Sequence, residues 1–253
     1  MREIILDERS WAENAINGLD LGKKPSSTIA RLGRYYYSNG YGKTEIQRLL
    51  KEFIIKCDPT VRIAQWEPFI ESVAKHSDKY PLINLNGVEI TKNEMCKIGE
   101  LQTKNLRKLM FTMLCLAKYG NAVSPKNNNW VNFPSEDIFN LANIKITRVR
   151  QSLMINDLWQ AEYIGYSNLV DNININVKII EGVEQELLVT DFRNLGNQYL
   201  QYTEGGFIQC ECCGACVKAT NNRRRYCQDC ALEMHRASVL ENYYAKSSTD
   251  YLQ

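Results

Sequence analysis

The sequence predicts a mainly α chain with small β elements, an α+β arrangement in three parts. Apolar residues recur at helical spacing through roughly the first hundred positions. Over 103–180, helical patterns alternate with brief strand-like runs. Residues 210–230 hold two C-x2-C pairs, Cys210/Cys213 and Cys227/Cys230, the spacing of a small metal-stapled module. The expected domains are a helical region over 1–102, a second domain with following strands over 103–204, and a cysteine module with a C-terminal helix over 205–253. Gly205-Gly206 marks the sharpest boundary.

A chain of 253 residues, 44% apolar and 24% charged, has an ordinary globular composition and enough length for two or three small domains. The net charge of +2 is too small to argue for a nucleic-acid partner. Its distribution says more. Residues 103–150 carry eight basic side chains, Lys104, Arg107, Lys108, Lys118, Lys126, Lys145, Arg148 and Arg150, against Glu136 and Asp137. Residues 151–206 reverse the balance, with eight acidic side chains against two basic. No N-terminal run reads as a signal peptide, and the longest apolar stretch, Leu109 to Ala117, is too short to span a bilayer. Nine cysteines in such a chain read as reduced thiols and metal ligands, so the expected compartment is the cytoplasm, with no membrane partner. Cys57, Cys96 and Cys115 fall in apolar helical patterns and read as small core residues.

In order along the chain, Asp7 caps a first helix through Ala15, and Pro25-Ser26-Ser27 announces a second bearing Ile29, Leu32 and Tyr35-Tyr36-Tyr37. Thr44 and Gln47 have capping-box spacing before a third helix with Leu50, Phe53 and Ile54. Ile63, Trp66, Phe69, Ile70 and Val73 mark a fourth amphipathic segment. Asn86-Gly87, between apolar runs, predicts a hairpin over Leu82 to Ile90. Thr91 and Glu94 form a second capping box, and Thr103 starts a long helix ending at Gly120.

From that helix the order is a strand at Trp130-Val131-Asn132, a short helix from Ser135, a turn at Asn143, a helix from Thr147 with Val149, Leu153, Met154 and Leu158, and two strands, 163–166 and 173–180, joined by the turn 167–172. Over 103–180 this order resembles a winged helix-turn-helix domain. The resemblance implies that the helix from Thr147 enters the DNA major groove and presents Lys145, Thr147, Arg148, Arg150 and Gln151. Arginine suits guanine or phosphate, and glutamine suits adenine. Winged helices also serve as protein-docking modules, and the acidic residues Asp157, Glu162, Asp171 and Glu181 oppose a contact led by the wing.

Six cysteines crowd 210–230, and two ligand sets are open. One is Cys210, Cys213, Cys227 and Cys230; the other replaces the first pair by Cys213 and Cys216. Gly214 after Cys213 favours the first, because a turn with N–H groups aimed at thiolates needs backbone freedom. Four thiolates close the coordination of one structural zinc ion and leave His235 outside it. A knuckle, a hairpin over Val217 to Arg225, and a second pair at a helix start make the order of a treble-clef-like zinc ribbon. Arg223, Arg224 and Arg225 form a basic cluster that can hold phosphate beside the metal or stand solvated. The string Cys210-x2-Cys213-Gly214 followed by Asn222-Arg223-Arg224-Arg225-Tyr226-Cys227-x2-Cys230 resembles the zinc-ribbon tails of phage and prophage proteins of Gram-positive bacteria. That resemblance implies a DNA-associated or regulatory role in a mobile element. Cys212 and Cys216 depart from its four-cysteine pattern.

Catalysis is not expected. Only His76 and His235 are present, there is no phosphate-binding G-x-x-x-x-G-K-[ST] loop, and there is no G-x-S-x-G elbow. The expected function is DNA binding in replication initiation or transcriptional regulation. The alternative is an adaptor or inhibitor that captures a host or phage enzyme through Tyr35-Tyr36-Tyr37 and the zinc module, tyrosine being common at interfaces.

Overall fold

The computed structural model describes residues 4–167, 174–221 and 223–250, with backbone alone over 241–250. Helices dominate, with small antiparallel sheets between them. The chain divides into two compact units, Glu3–Gly87 and Val88–Gln253.

The first unit is a set of four helices, α1 (Glu8–Gly18), α2 (Pro25–Ser38), α3 (Lys43–Cys57) and α4 (Glu67–His76). Their apolar faces meet in one core around Ile29, Leu32, Ile46, Leu50, Ile54 and Ile70. Asp7 caps α1 by accepting from the N–H groups of Arg9 and Ser10. Tyr36 is in the core, Tyr35 is half-buried and Tyr37 is exposed, so the tyrosine run is split by helix geometry. Glu8 is buried and held by Arg34, Arg31 and the Ile83 N–H. The Thr44–Gln47 capping box does not form: α3 starts at Lys43 after Gly42, with no side-chain cap.

The second unit is built around α6 (Lys104–Val123), whose residues 108–117 are all buried. A helix packed on every side loses the amphipathic stripe and reads as a continuous apolar run. Thr103 caps it, and it continues one residue triplet past Gly120 to Val123. Before it comes β1 (Val88–Thr91), then α5 (Lys92–Glu100), where Thr91 and Glu94 form the expected capping box. The buried Glu94 carboxylate also pairs with Lys118 at 2.7 Å. The Asn86-Gly87 hairpin is not made. β1 pairs instead with the distant β5 (Gln185–Val189), Val88 opposite Val189, while Asn84 bridges to Asp7 in the first unit. This unit therefore opens at Val88 and includes α5, whereas the sequence places the division at 102.

Next follow β2 (Trp130–Val131), α7 (Ser135–Leu141), α8 (Arg148–Gln160), β3 (Ile164–Tyr166) and β4 (Ile175–Val177). The strands form one antiparallel sheet in the order β2-β4-β3, Ile164 opposite Val177 and Trp130 opposite Asn176. Most of the turn 167–172, with Asp171 in it, lies outside the described residues. α7 turns into α8 through Asn143, in the left-handed region at φ 51°. Helix α9 (Leu195–Glu204) packs on α6, with the Phe111 and Tyr199 rings 5.4 Å apart. Gly196 is needed there, since a Cβ would stand 1.9 Å from the Ala142 carbonyl oxygen. The unit ends with β6 (Phe207–Gln209), β7 (Cys216–Lys218) and α10 (Gln228–Asp250).

Two core assignments differ from the sequence reading. Of the three core cysteines, Cys115 is buried, Cys57 is half-buried and Cys96 is exposed. On α8, Ile155 and Leu158 face the core, while Val149 and Leu153 face outward.

Candidate metal centre and nucleic-acid interface

The cysteine module is assembled by two turns. β6 and β7 pair with Gln209 opposite Cys216, so the hairpin wraps the first C-x2-C pair and does not lie over 217–225. Between the strands the chain reverses at Gly214, φ 73°, whose N–H donates to the Cys210 carbonyl at 2.7 Å. That left-handed angle is cheap only for glycine. The second pair sits at the start of α10, where Cys230 N–H donates to Cys227 Sγ at 3.4 Å. A backbone bond from Glu211 N–H to the Arg225 carbonyl, 3.0 Å, joins the two halves.

The Sγ atoms of Cys210, Cys213, Cys227 and Cys230 all lie within 4.8 Å of one another, close enough to hold a metal ion. Cys213 Sγ and Cys227 Sγ are 3.8 Å apart. A tetrahedral zinc with bonds of about 2.3 Å sets its sulfurs about 3.8 Å apart, so the spacing fits that ion. Backbone N–H groups of Cys213 and Cys227 donate to Cys210 and pull its pKa down to about 6. Hydrogen bonds among the crowded thiols, Cys227 first, push Cys230 upward. Such a cluster shares protons among its sulfurs, and a divalent cation replaces them. The alternative ligand Cys216 is turned away. It is buried, its Sγ donates to Gln201 Oε1 at 3.3 Å, and burial raises its pKa to about 11. Cys212 and His235 are exposed outside the cluster.

Two residues that the spacing gave no reason to single out brace this module. Arg193, held by Asp191 at 2.8 Å, donates to the Cys213 carbonyl at 2.6 Å. Asn197 donates to the Cys216 carbonyl at 3.2 Å and accepts from Asn143 at 2.9 Å; Lys108 Nζ donates to the Asn143 carbonyl at 2.7 Å. One polar chain thus links β7 to the turn ahead of α8.

The second candidate surface is the start of α8. Lys145, Thr147, Arg148 and Arg150 are exposed together. Thr147 holds the N-cap position with no side-chain capping bond. No carboxylate pairs with Lys145, Arg148 or Arg150 among the described residues. Gln151 differs from this group: it is half-buried, on the same side as Ile155 and Leu158. The outward positions that replace it are Val149, Ser152, Leu153 and Asn156. They escape notice in the sequence because Val149 and Leu153 have the same spacing as core residues.

The charge blocks also change meaning once folded. Lys108 is buried, Lys118 pairs with the buried Glu94, and the exposed Lys104 pairs with Glu204, so part of the positive block is buried or already paired. In the opposing acidic block, Glu181 pairs with Lys97 and Asp191 with Arg193. The three arginines 223–225 do not form one phosphate-facing cluster. Arg224 is tied to the Tyr226 carbonyl, Arg225 lies 3.8 Å from Glu211, and the exposed Arg223 lines, together with Arg224, a depression bounded by Thr220, Tyr226 and the start of α10. Another depression, of about 430 Å³, lies between α5, α6 and α9; its Lys104 is already paired and its Arg107 donates to the Leu101 carbonyl. No described helix is long and apolar enough to cross a membrane. Comparison with known families, curated proteins and solved structures returns no match for this chain.

Proposed function

We propose that this protein binds duplex DNA through a winged helix-turn-helix spanning 103–180, with α8 in the major groove, and that Cys210, Cys213, Cys227 and Cys230 hold one structural zinc ion in a treble-clef-like ribbon. The observation that carries the reading is the exposed cationic start of α8, Lys145, Arg148 and Arg150, which no carboxylate pairs among the described residues. Helix N-terminal N–H groups and nearby arginines both favour phosphate. The order α6, β2, α7, α8, β3, β4 and the three-stranded sheet support the domain assignment. When bound, zinc would supply cross-linking and no open coordination position, so the module would act as a scaffold and not as a catalytic centre. Arg223 is a second candidate phosphate contact. Replication initiation or transcriptional control in a phage or prophage, in the cytoplasm, is the role that suits such a reader.

The test is a fluorescence-anisotropy titration of zinc-loaded protein against a pool of random duplexes at several salt concentrations. Binding should weaken steeply with salt. Changing Arg148 and Arg150 together to Ala should weaken it about tenfold or more. Absence of any salt-sensitive binding rejects the proposal. A second reading, capture of a partner enzyme, draws on exposed Tyr37 and Tyr41 at 47% and 43%. Retention of a host protein from nuclease-treated lysate, with no DNA affinity, would favour it.

A further inference from the structure

Val149 and Leu153 are 72% and 57% exposed, one turn apart on α8, on the side away from Ile155 and Leu158. Scattered exposed apolar residues need no explanation. These two differ because of their setting. They occupy the middle of the outward face, with Arg148 and Arg150 on either side of Val149 and Lys145 just ahead. Ser152 and Asn156 share the face, and the only acidic side chain of the helix, Asp157, comes after both apolar positions. A cationic rim suits a polyanion, and an apolar centre suits an apolar feature on that polyanion. In the DNA major groove that feature is the 5-methyl group of thymine.

We propose that Val149 and Leu153 read thymine methyl groups, so that the site bound by α8 contains thymine at the positions these side chains reach. The inference rests on the DNA-binding reading above and adds its specificity. The flanking arginines carry affinity through phosphate or guanine, and the apolar pair carries discrimination at thymine.

The experiment starts from duplexes selected out of a random pool by the zinc-loaded full chain. Each selected duplex is then made with deoxyuridine in place of thymidine, which deletes the methyl and leaves base pairing intact. Loss of one buried methyl contact should weaken binding about fourfold, and of two about tenfold or more. Val149→Ala with Leu153→Ala should bring the thymine-to-uracil ratio close to one. Arg148→Ala with Arg150→Ala should weaken both duplexes alike and preserve the ratio. All variants should retain the parent circular dichroism, since the altered side chains are exposed. Equal affinity for thymine and uracil duplexes, with salt-sensitive binding intact, overturns this inference and leaves DNA binding standing. An apolar double variant that alters the sedimenting mass of the protein but keeps the ratio also overturns it, because the face then joins copies of the chain. Failure of every duplex to bind rejects the DNA reading itself and this inference with it.

Discussion

At the scale of single residues, the six clustered cysteines divide by where each sulfur points. Four converge within 4.8 Å, Cys216 bonds Gln201, and Cys212 faces outward. Cys210→Ser should therefore abolish the one-to-one metal content measured by elemental mass spectrometry, while Cys212→Ser and Cys216→Ser should keep it. Equal loss in the Cys210 and Cys216 variants would return Cys216 to the ligand set. Glu94 makes a second residue-level case. Its buried carboxylate accepts the Thr91 N–H at 2.8 Å and pairs with Lys118. Glu94→Ala leaves that lysine without its partner and should cost about 3 kcal/mol in urea unfolding. Replacing Lys118 by Met in the same background should recover part of the loss.

At the scale of elements, α9 is held against the turn between α7 and α8 by a contact that allows no side chain at Gly196. Gly196→Ala should destabilise the protein by about 1–3 kcal/mol, read as a lowered melting temperature, with the helices forced apart. Elements differ in how much of them was legible in the sequence. The four-cysteine cluster was, because each C-x2-C pair is a local unit and Gly214 sits where the reversal needs it. The helices α5 and α6 were, through the caps at Thr91 and Thr103. The β1–β5 pairing was not: its partners lie about a hundred residues apart, and the local Asn86-Gly87 turn pointed to a nearer match. The outward face of α8 was obscured by its own composition. Val149 and Leu153 mimic core spacing as well as Ile155 and Leu158 do, and a helix with apolar residues on both its buried and its exposed side shows no single apolar stripe. Local spacing likewise missed Arg193 and Asn197, which act through partners far along the chain.

At the scale of the whole molecule, the chain has two compact units, and the four-cysteine cluster that could hold a metal belongs to only one. Chelation should raise hydrogen exchange over 205–240 and leave the helices of 4–87 as protected as before. Uniform loosening of both units would show that the metal governs folding of the entire chain. Within the second unit, the hydrogen bonds from Lys108 through Asn143 and Asn197 to Cys216 run across the glycine pair at 205–206. That pair looks like a natural seam in the sequence. Recombination at the seam would bring Asn197 and its partner strand from different parents. The cassette that can move between lineages without repair therefore runs from β1 through α10, which keeps β1 with β5 and all four clustered cysteines together, and tails swapped at the glycines alone should yield misfit hybrids.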